Sequence, residues 1–209
     1  AHLRPSFFYT GEQDIITVMS KRPTIVIDLD GTILRRRFLD WFKLYLVESD
    51  SVGVPFAKVV DTLKSLSENY NVVAITARAK MGRPNTLRWL QRFGLDFCDL
   101  HLSSAVHFRD SPRAAYKSGV LRKLAAEGHD IRFGMGDRPS DFSAYADNGI
   151  FPIVVIRPHQ KHRLEKIRAI ARAKGLGEND YAVFVEGEGM PAWTGIAQLI
   201  AGHELAHKT

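Results

Sequence analysis

Apolar residues along this chain fall into two alternating patterns: short β-branched runs, and stretches spaced three and four residues apart. Thr24 to Leu29 (TIVIDL) is a β-branched run that ends in acids and Gly31, the pattern of a buried parallel strand opening into a loop. Val72 to Thr76, Leu100 to Leu102, Ile131 to Met135, Ile153 to Ile156 and Tyr181 to Val185 predict further strands. Between them, Phe38, Trp41, Phe42 and Tyr45 stand at i, i+3, i+4 and i+7, which is helical spacing. Val54 to Leu66, Asn85 to Phe93, Pro112 to Ala126, Pro139 to Asn148 and His159 to Lys174 predict helices, and Pro191 opens a closing helix in its favourable first turn. Strands alternating with helices at this spacing predict an α/β fold, a Rossmann-like doubly wound parallel sheet with helices on both faces. The connections are short, so residues 1–209 are read as one domain with no sizeable cap.

Composition narrows the class. The chain has 209 residues, 45% of them hydrophobic and 25% charged, which is globular usage and excludes a disordered or low-complexity protein. A single cysteine, Cys98, excludes an intrachain disulfide and a Cys-rich zinc module, and is expected in the core of a protein kept in a reducing compartment. No apolar run is long enough for a spanning helix, and the N-terminus lacks the basic-then-apolar order of a signal peptide. The expectation is a cytoplasmic protein, peripheral at most to a membrane surface; because the first residue is Ala, a preceding segment is left open. Lys+Arg exceed Asp+Glu by 29 to 23, a net charge of +6 that favours an anionic partner such as phosphate, nucleic acid or an acidic membrane.

Candidate chemistry gathers where strands end. Asp28 and Asp30 flank Leu29 and precede Gly31 and Thr32, so two carboxylates occupy same-side positions as the first strand runs into its loop. One can attack phosphorus while the other protonates the leaving oxygen and later activates water. Two carboxylates so close repel and call for a cation. Gly136-Asp137-Arg138-Pro139-Ser140-Asp141 supplies further acids, and ligation by Asp28, the main-chain carbonyl of Asp30 and Asp137, with Asp141 in support, suits Mg²⁺. Thr76 offers a hydroxyl at the end of the second strand, and Lys117, favoured over Lys123, offers a charge that stabilises the transition state.

DLDGT at 28–32, Thr76, Lys117 and GDRPSD at 136–141 resemble the four motifs of the haloacid dehalogenase superfamily of phosphohydrolases. The resemblance implies Asp28 as nucleophile through an aspartyl-phosphate, Asp30 as general acid/base, Thr76 and Lys117 as phosphate binders, and Asp28, Asp30 and Asp137 or Asp141 as Mg²⁺ ligands. Gly31, Thr32, Ala77, Arg78 and Arg36 are the expected neighbours of the substrate. A narrower resemblance, carried by TARAKMGRPNTLRWL (76–90), AYKSGVL around Lys117 and GDRPSDFSAYADNGI (136–150), is to the catalytic lobe of lipin-type phosphatidate phosphatases, although Asp137 stands where lipins usually have Asn. It implies a phosphate displayed on something large, such as phosphatidate. The Arg35–Arg37 run beside Phe38, Trp41, Phe42 and Tyr45 would then suit an anionic lipid surface. The alternatives are a polynucleotide 3′-phosphatase, with the basic His159–Lys174 helix along the phosphate backbone, and a non-catalytic phosphatidate-binding module.

His203-Glu204-Leu205-Ala206-His207 fits a zinc-protease pattern, but it lies in a terminal turn with no third ligand after it, and is read as a coincidence. His101 and His107 are read as ordinary loop or helix residues.

Overall fold

A computed structural model describes residues 22–35, 38–104, 109–187 and 191–206, without the side chains at 38, 39, 41, 42 and 204–206. Arg36, Arg37, His107 and His207 lie outside the described residues, as do the side chains of Phe38, Trp41 and Phe42. The described residues form eight strands: β1 (Thr24–Ile27), β2 (Leu34–Arg35), β3 (Val54–Pro55), β4 (Asn71–Ala79), β5 (Asp99–Ser103), β6 (Ile131–Gly136), β7 (Phe151–Ile156) and β8 (Ala182–Val185). The helices are α1 (Phe38–Leu46), α2 (Val59–Asn69), α3 (Arg83–Phe93), α4 (Asp110–Ala126), α5 (Pro139–Asp147), α6 (Lys161–Ala173) and α7 (Ala192–Ala206).

Six strands pair in parallel in the order β5-β4-β1-β6-β7-β8. The chain leaves the central β1 toward β4 and β5, then returns to β6 on the other side of β1. That reversal opens a crevice at the carboxyl ends of the central strands, where α/β sheets bind ligands. Each strand alternates between two faces. Ile25, Ile27, Val72, Ala74, Phe133 and Met135 pack in one core with Trp193, Ile196 and Ile200 of α7 and Leu63 and Leu66 of α2. Val26, Val73 and Ile75 pack on the other face against Leu121 and Leu124 of α4 and Ala144 and Tyr145 of α5. Val154 and Ile156 meet Ile167 and Ala171 of α6 in a third cluster. The doubly wound parallel sheet expected from the pattern is therefore the fold observed.

Two expectations are corrected. The helix expected from Val54 begins at Val59 instead, because Val54 and Pro55 pair antiparallel with Arg35 and Leu34. The residue before a proline is pushed out of the helical region, which frees Val54 for a strand. The second is Cys98, which is exposed. Its main-chain N–H, donated to the Val72 carbonyl at 2.8 Å, is what ties this stretch to the sheet. His101 lies on β5 beside Asp99, with Nε2 2.8 Å from the carboxylate. The His203 ring stacks edge-on against Phe133 and Phe151, at centroid distances of 5.5 and 4.8 Å.

Helix α1 is set between the two short strands of the β2–β3 pair, and Asn85 of α3 fastens its C-terminal end. The Asn85 amide donates to the carbonyls of Lys43, Leu44 and Val47 at 2.7, 3.2 and 2.6 Å, and its oxygen accepts the Ser49 N–H at 3.0 Å. These are carbonyls a helix end otherwise leaves unsatisfied. Tyr45 is partly buried, and its hydroxyl accepts the Ala79 N–H at 3.2 Å.

Gly134, in the middle of β6, lies under the Tyr145 ring, whose hydroxyl donates to the Met135 carbonyl at 3.0 Å. A Cβ there would sit 2.4 Å from the ring. Gly134→Ala is therefore expected to destabilise the fold by roughly 1–3 kcal/mol through overpacking, read by urea unfolding; an unchanged midpoint would show that the ring shifts at no cost.

Candidate active site

The site is built at the carboxyl ends of β1, β4 and β6. Where β1 ends, the Asp28 N–H still donates to the Met135 carbonyl of β6 at 2.9 Å, which fixes the first carboxylate in the crevice. The chain then turns tightly: the Leu29 carbonyl accepts the N–H groups of Thr32, Ile33 and Leu34 at 3.3, 3.1 and 3.3 Å. Gly31 makes the turn with φ 90°, and a Cβ at that position would come within 2.3 Å of an Asp137 carboxylate oxygen. Thr32 and Thr76 are both fully buried, and the Thr76 hydroxyl accepts the Arg78 N–H at 3.4 Å.

Lys117 reaches in from α4. It is fully buried, and its ammonium lies 2.9 Å from Asp28 Oδ1 and 2.7 Å from Asp141 Oδ1. Asp141, in the first turn of α5, accepts the Arg138 N–H with its other oxygen at 3.2 Å. Asp137, directly after β6, is held by Arg163 of α6, which donates to Asp137 Oδ2 and to the Asp137 carbonyl at 3.3 Å. Asp137 Oδ1 is buried with no hydrogen-bond partner among the described residues; Arg138 Nε lies 3.9 Å away. Asp28, Asp137 and Asp141 each bring a carboxylate oxygen into a group lying within 4.8 Å of one another. Three buried carboxylates, oxygen donors only and one of them lacking a donor, match what Mg²⁺ accepts.

Asp30 is handled separately. Its two oxygens accept a bidentate pair from Arg78, from Nε at 2.9 Å and from the second terminal nitrogen at 2.8 Å. The other terminal nitrogen donates to the Thr86 hydroxyl at 2.9 Å, and that hydroxyl in turn donates to the Gly82 carbonyl at 2.8 Å. Arg78, expected beside the substrate, is thus buried and turned onto Asp30.

Burial and mutual repulsion shift these groups. Burial pushes the Asp28 carboxyl up to about 7 against the pull of Lys117, with Asp141, Asp137 and Asp30 adding to the rise. Burial, then Asp141, raises Asp137 to about 6, opposed by Arg163 and Arg138. Burial alone would lower Lys117, but the charges of Asp141 and Asp28 outweigh it and hold the ammonium above its ordinary range. For Arg78, burial is outweighed in the same way by Asp30.

The structure thus brings together Asp28, Lys117, Asp137 and Asp141, with Asp30 on Arg78 beside them, while Lys123 pairs with Glu127 on the outside of α4. Sequence reasoning missed Arg163 as a partner of Asp137. It stood as one cation of a basic helix, and nothing in its spacing from Asp137 marks the contact.

No protein-family model matches this chain, and no curated protein matches it in sequence. Solved structures do match in fold. A chain of the Pnkp1/Rnl/Hen1 RNA repair complex is 19% identical over 65% of this chain and 42% of its own length, with a TM-score of 0.55. The D,D-heptose 1,7-bisphosphate phosphatase from B. bronchiseptica, complexed with magnesium and phosphate, is 16% identical over 87% of this chain and 99% of its own, with a TM-score of 0.54. A haloacid dehalogenase-like hydrolase from Streptococcus pneumoniae is 13% identical over 87% and 100%, with a TM-score of 0.52. The chain spans less than half the length of the RNA repair chains it matches, 42% and 45%. Among the described residues, no helix is long and apolar enough to cross a membrane.

The raised carboxyls fix a sign. Folded Asp28 and Asp137 hold protons that the unfolded chain releases above about pH 4, so the metal-free protein loses stability as pH rises from about 4 to 7. A divalent cation favours the ionised carboxylates, so Mg²⁺ is expected to raise the melting temperature more at pH 8 than at pH 5. Scanning fluorimetry with Mg²⁺ against EDTA checks this; an equal shift at both pH values would place the ion elsewhere.

Proposed function

We propose that this protein is a Mg²⁺-dependent phosphomonoester hydrolase acting through an aspartyl-phosphate on Asp28. The observation that carries the reading is the separation of two carboxylates at one strand end. Asp28 shares Lys117 with Asp141 inside the acidic group, while Asp30 is held apart on Arg78. Such a split suits two roles, one carboxylate to attack and one to move protons.

In this mechanism Lys117 and a bound cation would keep Asp28 ionised, and one of its oxygens attacks phosphorus as the bond to the leaving oxygen breaks; Asp30 delivers a proton to that oxygen, which requires one of its own oxygens to be protonated and released from Arg78. Asp30, now ionised, takes a proton from water, whose oxygen attacks the phosphorus of the acyl phosphate and returns Asp28 and inorganic phosphate. Lys117 keeps Asp28 oriented and neutralises charge on the phosphoryl oxygens, to which Thr76 offers its hydroxyl. Asp28, Asp137 and Asp141, with the Asp30 main-chain carbonyl, would hold Mg²⁺. That ion would supply the positive charge that lets a dianionic phosphate approach an anionic nucleophile. The phosphatase in complex with magnesium and phosphate among the fold relatives supports the choice of metal.

For substrate, the lipin-like motifs support a phosphate displayed on something large, such as phosphatidate at a membrane surface. The end of a polynucleotide is the second reading, favoured by the likeness in fold to a chain of an RNA repair complex. The nine-residue α1 is the insertion described between β2 and β3, and we read the site as uncapped.

Asp28→Asn is expected to abolish release of phosphate from p-nitrophenyl phosphate while leaving the fold intact, and a trapped phosphoenzyme should map to Asp28. Retained turnover would refute the covalent route. Arg78→Ala separates positioning from substrate binding. As the residue that positions Asp30, its loss should lower kcat at least tenfold with KM within about twofold, whereas a rise in KM alone would make Arg78 a substrate contact.

A further inference from the structure

The charge around the site does not close on one phosphate. The four carboxylates at this end of the sheet are matched by four cations. Lys117 serves Asp28 and Asp141, Arg78 serves Asp30, and Arg163 and Arg138 lie against Asp137. A bound divalent cation and a phosphomonoester dianion would cancel each other. Among the described residues, three arginines near this end of the sheet are then left over: Arg35 on β2, Arg113 on α4 and Arg157 directly after β7.

Their placement shows that they belong to the same mouth. Arg113 is four residues, one helical turn, before Lys117 and so shares its face of α4. Arg157 leaves the strand next to β6, whose end carries Asp137. Its guanidinium lies 6.0 Å over the Phe56 ring, and its main-chain N–H donates to Gln160 Oε1 at 3.2 Å. Burial, then the charge of Arg138, lowers Arg113 against the pull of Asp110, Asp141 and Asp28; burial, with Arg163, Arg35 and Arg138, lowers Arg157 against the pull of Asp137, so both guanidiniums sit below their ordinary range within reach of the acids of the site. The Nε atoms of Arg113 and Arg157 are both buried without a hydrogen-bond partner among the described residues. The nearest acid to Arg113 is Asp110, half-exposed and 3.8 Å away. Glu186, which follows β8 and donates its main-chain N–H to Ile156, gives its carboxylate to the Ala192 N–H instead.

Two guanidiniums at the same end of the sheet, each beside Arg138 and each with an idle buried donor, are arranged for an oxyanion. From this juxtaposition we infer that Arg113 and Arg157, with Arg35 at the rim, form a second anion site, and that the substrate is a phosphomonoester carrying another phosphate close to the one removed. This deepens the phosphatase reading and rests on it, and of the two substrates proposed there it favours the polynucleotide end over phosphatidate. A nucleoside bisphosphate and a polynucleotide with a terminal phosphate share that chemistry, whereas an isolated phosphatidate has a single phosphate.

The test compares adenosine 3′,5′-bisphosphate with adenosine 3′-monophosphate. In the wild-type protein with Mg²⁺, kcat/KM is expected to favour the bisphosphate about tenfold or more, mainly through KM. The preference should shrink toward unity in the Arg113→Gln, Arg157→Gln double variant. Equal kcat/KM for both nucleotides in the wild type would overturn the second site and leave the phosphatase reading standing. If neither is hydrolysed, turnover of p-nitrophenyl phosphate decides the phosphatase reading, and calorimetry of the same two nucleotides on Asp28→Asn decides the site alone. Tighter binding of the bisphosphate supports it, and equal or absent binding overturns it. Faster turnover of an oligonucleotide 3′-phosphate than of the bisphosphate would assign the second phosphate to a polynucleotide; the reverse order would assign it to a small molecule.

Discussion

A lysine ammonium buried beside two carboxylates is the constraint around which the rest of this molecule is arranged. An isolated buried charge is costly, and removing one member of such a pair strands the other. Lys117 escapes that cost only because Asp28 and Asp141 both reach it, within 2.9 and 2.7 Å. Those acids come from the ends of β1 and the start of α5, so three elements far apart in sequence must meet to satisfy one side chain. Glycines clear the space: Gly31 keeps the turn off Asp137, and a Cβ at Gly136 would strike the Asp141 side chain at 2.4 Å. The crevice of the parallel sheet is thus an electrostatic junction before it is a binding site.

Much of this was readable in the chain. β-branched runs ending in acids marked β1, and the Gly-Asp-Arg-Pro start marked the entry to α5, because strand and helix periods and helix-start chemistry act over a few residues. What stayed hidden depended on direction. Arg78 is legible as a cation next to Thr76, yet whether its guanidinium faces solvent or Asp30 is settled by Thr86, one turn into α3, which offers it a third acceptor. Arg163 is one of several cations on a basic helix, and only the packing of α6 against β7 and α5 selects it for Asp137. The start expected for α2 differs for a local reason, since the apolar spacing through Val54 and Leu66 does not reveal that Val54, restricted by the following proline, pairs with Arg35. Cys98 was misplaced because its apolar type suggests the interior, while its position is decided by a main-chain bond.

The two acids of the first loop differ in company more than in chemistry. Asp28 shares its environment with other acids and is driven toward its neutral form, whereas Asp30 has a guanidinium to itself. A two-residue step along the chain therefore separates two electrostatic regimes. Leu29, fully buried between them, is the partition, and its carbonyl gathers the turn that sends the two side chains apart.

The β2–β3 pair joins the sheet end to α1 through two rungs only, Leu34 with Pro55 and Arg35 with Val54. Chain enters and leaves this neck at one place, and none of the six parallel strands takes part in it. Whatever lies between the rungs can change in length and shape without disturbing the hydrogen bonds that hold Asp28 in position. The neck is therefore a natural point of modular growth, where descendants of this chain could acquire new walls around an unchanged floor of carboxylates, with the Asn85 contacts determining how firmly each new wall is moored.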